Sequence, residues 1–175
     1  IIIGDKYHLQ QFGAVYKSEL FSAGEYWYNK KKDFEKALWA YNIAHNFGQK
    51  SYYIRMRMAS CKIRTDSVDR KVFKQGVSEF QSLIKEYPNE IGIKTSFVDA
   101  TLYRHDYKGA LNQLEQYGVS YSEDHWIAGQ FGRAYIGINE YQKAINAFTF
   151  QLRESPDHFV YEQIARAYHR LGDTR

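Results

Sequence analysis

The 175-residue sequence contains very little proline and cysteine. Its two prolines are Pro88 and Pro156, and because proline breaks a helix interior, their scarcity favours long uninterrupted helices. The single cysteine, Cys61, excludes a disulfide within the chain and is typical of a reducing compartment, so we expect a cytoplasmic location. No apolar run approaches the roughly 20 residues that span a bilayer, so no membrane-spanning helix is predicted.

Catalytic signatures are lacking as well. The sequence has no glycine-rich phosphate loop, no pair of close histidines around a glutamate and no Gly-x-Ser-x-Gly turn. None of its six histidines lies three or four residues from another, the spacing at which one helix face can present two ligands to a metal ion. Cys61 has basic neighbours that could activate a thiolate, but a free cysteine is more often a packed residue. We therefore expect no enzyme activity, no metal site and no cofactor.

What the sequence does contain is a repeated spacing of aromatic and small residues. In the stretch YQKAINAF, Tyr141, Ala144 and Phe148 follow one another at steps of three and four. The same series of aromatic, small and large apolar residues recurs three times: Phe34, Ala37, Tyr41; Phe73, Gly76, Phe80; and Tyr107, Ala110, Leu114. From Phe73 to Tyr107 to Tyr141 the step is constant, and only the step from Phe34 to Phe73 is longer. A partial fifth copy contributes Tyr168 and Gly172.

This pattern resembles that of the tetratricopeptide repeat family, which has a period of about 34 residues and the same aromatic, small and proline positions. The fourth copy carries the fullest set: Gly132, Tyr135, Tyr141, Ala144, Phe148 and Pro156. The resemblance implies an all-α fold, a right-handed superhelical array of antiparallel helix pairs with about four repeats and a partial fifth. The small residues would let paired backbones approach closely, and the aromatic residues would fill the space between pairs.

The period places the helices along the chain. First helices are predicted near 11–30, 50–64, 90–103, 122–137 and 157–171, and second helices near 33–46, 69–86, 107–117 and 141–153. The corresponding repeats are near 15–49, 50–89, 90–122, 123–156 and 157–175, and residues 1–14 are predicted to be a lead-in from an upstream domain. Asp33, Asp69 and Asp106 precede second helices and are predicted to cap them.

The resemblance also implies where a partner would bind. In this family the first helices line a concave groove that holds a peptide, and the inward positions of this sequence include Tyr26, Asp99, Trp126, Arg133 and Arg166. Tyrosine, tryptophan and arginine are enriched at binding hot spots. The principal prediction is therefore a non-catalytic scaffold that binds a protein or peptide and forms part of a larger protein. Self-association through an exposed C-terminal helix is a further possibility.

Two alternatives to the protein-binding scaffold remain open, and the charge distribution bears on the first of them. Residues 1–87 carry 15 basic and nine acidic side chains, whereas residues 88–175 carry nine and 11. The basic patch consists of Lys30, Lys31, Lys32, Arg70, Lys71 and Lys74. The patch could be a solvated surface, or it could bind an anionic protein or nucleic acid, with nucleic acid the less favoured because such domains are usually more basic. The second alternative does not depend on charge: the chain would be the sensor or regulatory arm of an upstream enzyme, for example a signalling ATPase.

Overall fold

The computed structural model describes residues 6–65, 70–120 and 124–172, with side chains from residue 16 onward. Every regular element in these ranges is helical, so the all-α prediction is confirmed. The helices are α1 Lys6–Tyr26, α2 Phe34–Asn46, α3 Tyr52–Arg64, α4 Arg70–Glu86, α5 Ile91–Tyr103, α6 Tyr107–Gln116, α7 His125–Gly137, α8 Tyr141–Glu154 and α9 His158–Arg170. A five-residue π-helix, Trp27–Lys31, follows α1 and is here called the π-turn.

Most helices begin and end within three residues of the predicted positions, but α1 differs. It begins at Lys6, five residues before the predicted start, and therefore includes residues 6–14 of the predicted lead-in. The backbone leaves helical angles at Tyr16, with φ −108° and ψ 19°, close to the predicted start of the first repeat. The segment therefore consists of two helical stretches that meet at a kink at Tyr16.

Aspartates cap several helices, because a side-chain oxygen can accept from the unpaired amides of a first turn. Asp33 accepts from the Lys36 amide at 3.0 Å, and Asp106 accepts from the Gly109 amide at 2.9 Å, as predicted. Asp124 accepts from the first amides of α7. The third predicted cap, Asp69, lies outside the described residues.

The chain divides into two units, 1–96 and 97–175, with the boundary inside α5. In the first unit α1 packs on α2, α2 on α3, and α3 on α4. One core cluster of this unit contains Leu20, Tyr28, Phe34, Ala37, Tyr41, Ala44, Ile54 and Cys61. Close approach depends on Gly24, where an added Cβ would lie 2.5 Å from the Tyr41 ring. Burial raises the pKa of the Cys61 thiol to about 12, which fits a packed cysteine rather than a nucleophile.

In the second unit α6 packs on α7, α7 on α8, and α8 on α9. One core cluster joins the end of α5 to these helices through Val98, Leu102, Ala110, Leu111, Leu114, Ile127, Phe131, Ala134 and Ala147. A second cluster contains Ala144, Phe148 and Val160. The ring of Phe148 lies against Gly132, which is the close helix contact that the spacing of the fourth repeat predicts.

The remaining pattern residues are less uniformly buried than predicted. Phe73 is 40% exposed and Tyr168 is 39% exposed, so these two aromatic side chains do not fill a closed space. Phe73 lies in the first turn of α4, one turn before the buried positions Gly76 and Phe80 on the same stripe. Tyr168 lies near the end of α9, the last of the described helices. Position at the edge of a packed stripe, which spacing does not reveal, accounts for the exposure of Phe73.

Candidate functional site

Three of the predicted groove residues come together in the second unit. Trp126 and Arg133 lie on α7, two turns apart on one face. The Arg133 guanidinium donates from Nη2 to Asp99 Oδ1 at 2.5 Å, and both side chains remain partly exposed. The pair fixes the arginine at the surface, where solvent screening keeps its contribution to stability small.

A cleft of about 180 Å³ opens beside this pair, between α7, α8 and α9. Its walls are formed by Trp126, Gly129, Arg133, Phe148, Gln151, Asp157, Phe159 and Val160. All eight residues belong to the second unit, and four of them are apolar or aromatic side chains. Ligand-binding pockets are usually larger, about 300–1,000 Å³, so this cleft has room for a single side chain rather than for a whole small molecule.

Two large aromatic side chains stand at the cleft. Trp126 is 55% exposed and Phe159 is 52% exposed, although both line the same concavity. Each follows a capping aspartate by two residues: Asp124 accepts from the Trp126 amide at 2.7 Å, and Asp157 accepts from the Phe159 amide at 2.8 Å. The caps therefore hold both aromatic side chains at equivalent places in the first turns of α7 and α9.

The interior of the cleft depends on a glycine and a glutamine. A Cβ at Gly129 would lie 2.8 Å from Gln151 Oε1, so the missing side chain makes room for the amide. Gln151 Oε1 is buried and has no hydrogen-bond partner among the described residues. Leaving a buried carbonyl oxygen without a hydrogen bond lowers stability. Gln151 lines the cleft, so a ligand that donates a hydrogen bond to Oε1 would remove this cost.

The other two predicted groove residues are not part of this cluster. Arg166 is paired with Glu162 at 2.6 Å along the exposed surface of α9 and does not line the cleft. Tyr26 belongs to the first unit, where it is 47% exposed and its ring centroid lies 5.5 Å from that of Trp27. Of the five predicted groove residues, only Asp99, Trp126 and Arg133 therefore form one local cluster.

Sequence reasoning missed Phe159 and Gln151. A signal for Phe159 was present, because it lies one repeat after Trp126 and occupies the same place after a capping aspartate. Gln151 carries no such signal, since it lies on the second helix of its pair and only packing brings it to Gly129.

The first unit contains a partly buried ionic cluster that the sequence analysis also missed. Glu25 Oε2 accepts from Arg57 Nη2 at 3.0 Å, and Glu25 Oε1 accepts from the Tyr41 hydroxyl at 2.5 Å. The Tyr53 hydroxyl donates to the same carboxylate at 3.2 Å. Burial and the Glu25 carboxylate raise the pKa of Tyr41, so its hydroxyl remains a donor. Since these groups come from α1, α2 and α3 and satisfy one another, the cluster ties three helices together.

The basic patch is at the surface of the first unit. Lys30 and Lys31 lie in the π-turn, Lys32 follows it, and Arg70, Lys71 and Lys74 lie in the first turns of α4; all six are exposed. Their exposure makes them accessible to an anionic partner.

Across the described ranges, no three histidine, cysteine, aspartate or glutamate side chains are grouped so as to hold a metal ion. None of the helices in the part of the chain that is described has the length and apolar character required to cross a bilayer.

No protein-family model, no curated protein and no solved structure matches this chain. The resemblance to tetratricopeptide repeats therefore depends on the period and spacing of the sequence.

Proposed function

We propose that this chain is a non-catalytic protein-binding scaffold of the tetratricopeptide type, which holds a peptide segment of a partner protein in the cleft of its second unit. The observation that carries the proposal is the cleft itself, flanked by two aromatic side chains that are more than half exposed. Large exposed aromatic side chains are costly to leave in water, and they are enriched at the centres of protein interfaces.

The repeat architecture supports this proposal. The copies recur at a nearly constant period through the second unit, and sequential helices there pack as pairs. A superhelical array of such pairs presents its first helices along one continuous surface. Trp126 and Phe159 occupy equivalent places on two first helices, so an extended peptide could meet one aromatic side chain per repeat.

The cleft favours a particular kind of peptide. Phe148 and Val160 give it apolar walls, and its volume of about 180 Å³ is on the scale of one large side chain. Arg133 is already paired with Asp99, which weakens its attraction for a carboxylate on a peptide. The expected ligand is therefore a peptide with an apolar or aromatic anchor whose backbone or polar group donates to Gln151.

The test is selection from a library of random peptides, with the variants Trp126→Ala and Phe159→Ala and the double variant. The native chain should enrich peptides that share an apolar anchor, and the double variant should lose them. Single hot-spot truncations typically cost more than about 2 kcal/mol of binding free energy, which corresponds to roughly a thirty-fold weaker complex.

The matched control is Trp39→Ala, which removes a tryptophan that is 50% exposed but belongs to the first unit. This variant should select the same peptides as the native chain. The proposal fails if the native chain enriches no peptide, or if the double variant keeps its helical circular dichroism and still selects the same peptides.

A further inference from the structure

The first unit carries a second surface, made of lysines and aromatic rings around the turn between α1 and α2. We call it the lysine–aromatic surface; it consists of Tyr26, Trp27, Lys30, Lys31, Lys32, Lys36 and Trp39. Tyr26 is 47% exposed and Trp39 is 50% exposed. The surface is separate in sequence and in unit from the peptide cleft.

Contacts between side chains link four residues of this surface, Lys31, Tyr26, Trp27 and Lys36. Lys31 Nζ lies 5.8 Å from the centroid of the Tyr26 ring, which in turn lies 5.5 Å from the Trp27 ring. Lys36 Nζ lies 4.7 Å from the Trp27 ring. Trp39 follows Lys36 by three residues on α2, so the two side chains are neighbours on the helix surface.

The positive charges of the turn are not neutralised by any carboxylate in the described part of the chain. Among the described residues, no carboxylate pairs with Lys30, Lys31 or Lys32, although Lys36 pairs with Asp33 at 3.0 Å. The π-turn and the left-handed backbone of Lys32, with φ 55°, place these three consecutive lysines at the point where the chain reverses. π-helical turns are rare and occur frequently at functional sites.

The lysine charges and the aromatic rings of this surface together favour one class of ligand. Ammonium groups held near exposed rings suit a polyanion that also carries flat apolar groups. Single-stranded nucleic acid has both, because lysines contact its phosphates and aromatic side chains stack on its bases. An acidic peptide would use the lysines but has no regular partner for the rings. The charge balance of the sequence gives nucleic acid little support. The structure adds the exposed rings of Tyr26 and Trp39 and the contact between Lys31 and the Tyr26 ring.

We propose that the lysine–aromatic surface binds single-stranded nucleic acid. Lys30, Lys31 and Lys32 neutralise about three phosphates, and the half-exposed ring of Trp39 stacks on a base. The interaction is independent of sequence, because neither a lysine at a phosphate nor a ring beneath a base reads the edge of that base.

The test is fluorescence anisotropy of labelled oligouridylate and oligothymidylate with the native chain and three variants. Binding should weaken with salt with a logarithmic slope on the order of −2, as expected for about three phosphates of a single strand. Replacing all three turn lysines (K30E, K31E and K32E) should abolish binding. Trp39→Ala should weaken it by roughly five-fold to a hundred-fold, since it removes one stacked base.

The charge-matched control reverses Arg70, Lys71 and Lys74 to Glu, the same change in net charge on α4 of the same unit. This control should weaken binding far less than the reversal in the turn. Equal losses would mean general electrostatic attraction and would overturn the proposal, as would absence of binding by the native chain. Stronger binding of poly-glutamate or of vesicles containing anionic phospholipid, lost in the same turn variant, would overturn it in favour of that partner. Circular dichroism establishes that each variant is folded.

The two tryptophan variants separate this proposal from the peptide cleft. Trp39→Ala should impair oligonucleotide binding and leave peptide selection unchanged, whereas Trp126→Ala should do the reverse. Failure of one result leaves the other interpretable, because the two residues belong to different units.

Discussion

Phe148 rests directly on Gly132: a Cβ added to the glycine would lie 2.5 Å from Cε1 of the phenylalanine ring. Real side chains do not tolerate such a separation, so α7 and α8 can pack as they do only because position 132 has no side chain. The relationship explains why a small residue on a first helix is paired with an aromatic residue on the second helix of the same repeat.

Gly132→Ala should therefore destabilise the chain even though alanine is the better helix former. Overpacking a close contact costs about 1–3 kcal/mol, which outweighs the ~0.5–1 kcal/mol that alanine gains in a helix interior. Urea denaturation followed by circular dichroism measures the difference. Gly92→Ala is the control, since nothing lies within 4 Å of an added Cβ there, and it should be neutral or stabilising. A gain in stability from Gly132→Ala would refute the close contact.

Ala144→Leu should destabilise the second unit. Ala144 is fully buried in a cluster with Phe148 and Val160, so three additional carbon atoms have no space. We expect a loss of about 1–3 kcal/mol, seen as a lower midpoint in thermal unfolding. Asn146→Leu, an exposed position on the same helix, should leave the midpoint nearly unchanged. Equal midpoints for the two variants would contradict the buried placement of Ala144.

Asp124→Ala should destabilise the first turn of α7 and make Trp126, which lies in that turn, less well fixed. Loss of the cap leaves the amides of Trp126 and Ile127 without their acceptor and costs about 0.5–2 kcal/mol. Asp124→Asn keeps a side-chain oxygen and should retain most of that stability. Denaturation measures the cost, and the emission of Trp126 in a variant with phenylalanine at the other two tryptophans reports the local change. An asparagine variant as unstable as the alanine variant would argue against the cap.

Cys61 should be unreactive in the folded chain. Burial raises the pKa of its thiol to about 12, so almost no thiolate exists near pH 8. An aromatic disulfide reagent should label it slowly in buffer and rapidly in urea. The unfolded thiol ionises near its ordinary value of about 8.5, so unfolding releases a proton and the contribution of this group to stability falls as the pH rises from about 9 toward 12. In Cys61→Ala this component of the pH dependence should be absent. Fast labelling of the folded chain would show that the thiol is accessible.

The helical organisation of the chain could be predicted almost completely, because it follows from local rules. Spacings of three and four residues define a helix face, aspartates mark first turns, and the sequence period repeats both. Hence α2 through α9 begin and end near their predicted positions. The start of α1 was predicted five residues too late, since residues 6–14 precede the repeating pattern.

The candidate sites could be predicted only in part. The positions of Trp126 and Arg133 on one face of α7 follow from helical spacing, and their role as candidates follows from residue type. The partnership of Arg133 with Asp99, which lies one repeat earlier, depends on packing of separate helices. So does the approach of Gln151 to Gly129, which no pattern along the chain records.

The sequence by itself determined the secondary structure, the pairing of small with aromatic residues and the residue types available for binding. These properties depend on neighbours within one or two helical turns or on a fixed repeat. The tertiary structure decided which aromatic side chains are buried and which remain exposed, that Trp126 and Phe159 line one cleft, and that Lys31 and Lys36 lie beside the rings of Tyr26 and Trp27. Burial and contact between distant residues depend on the distance and rotation of packed helices, which many side chains fix together.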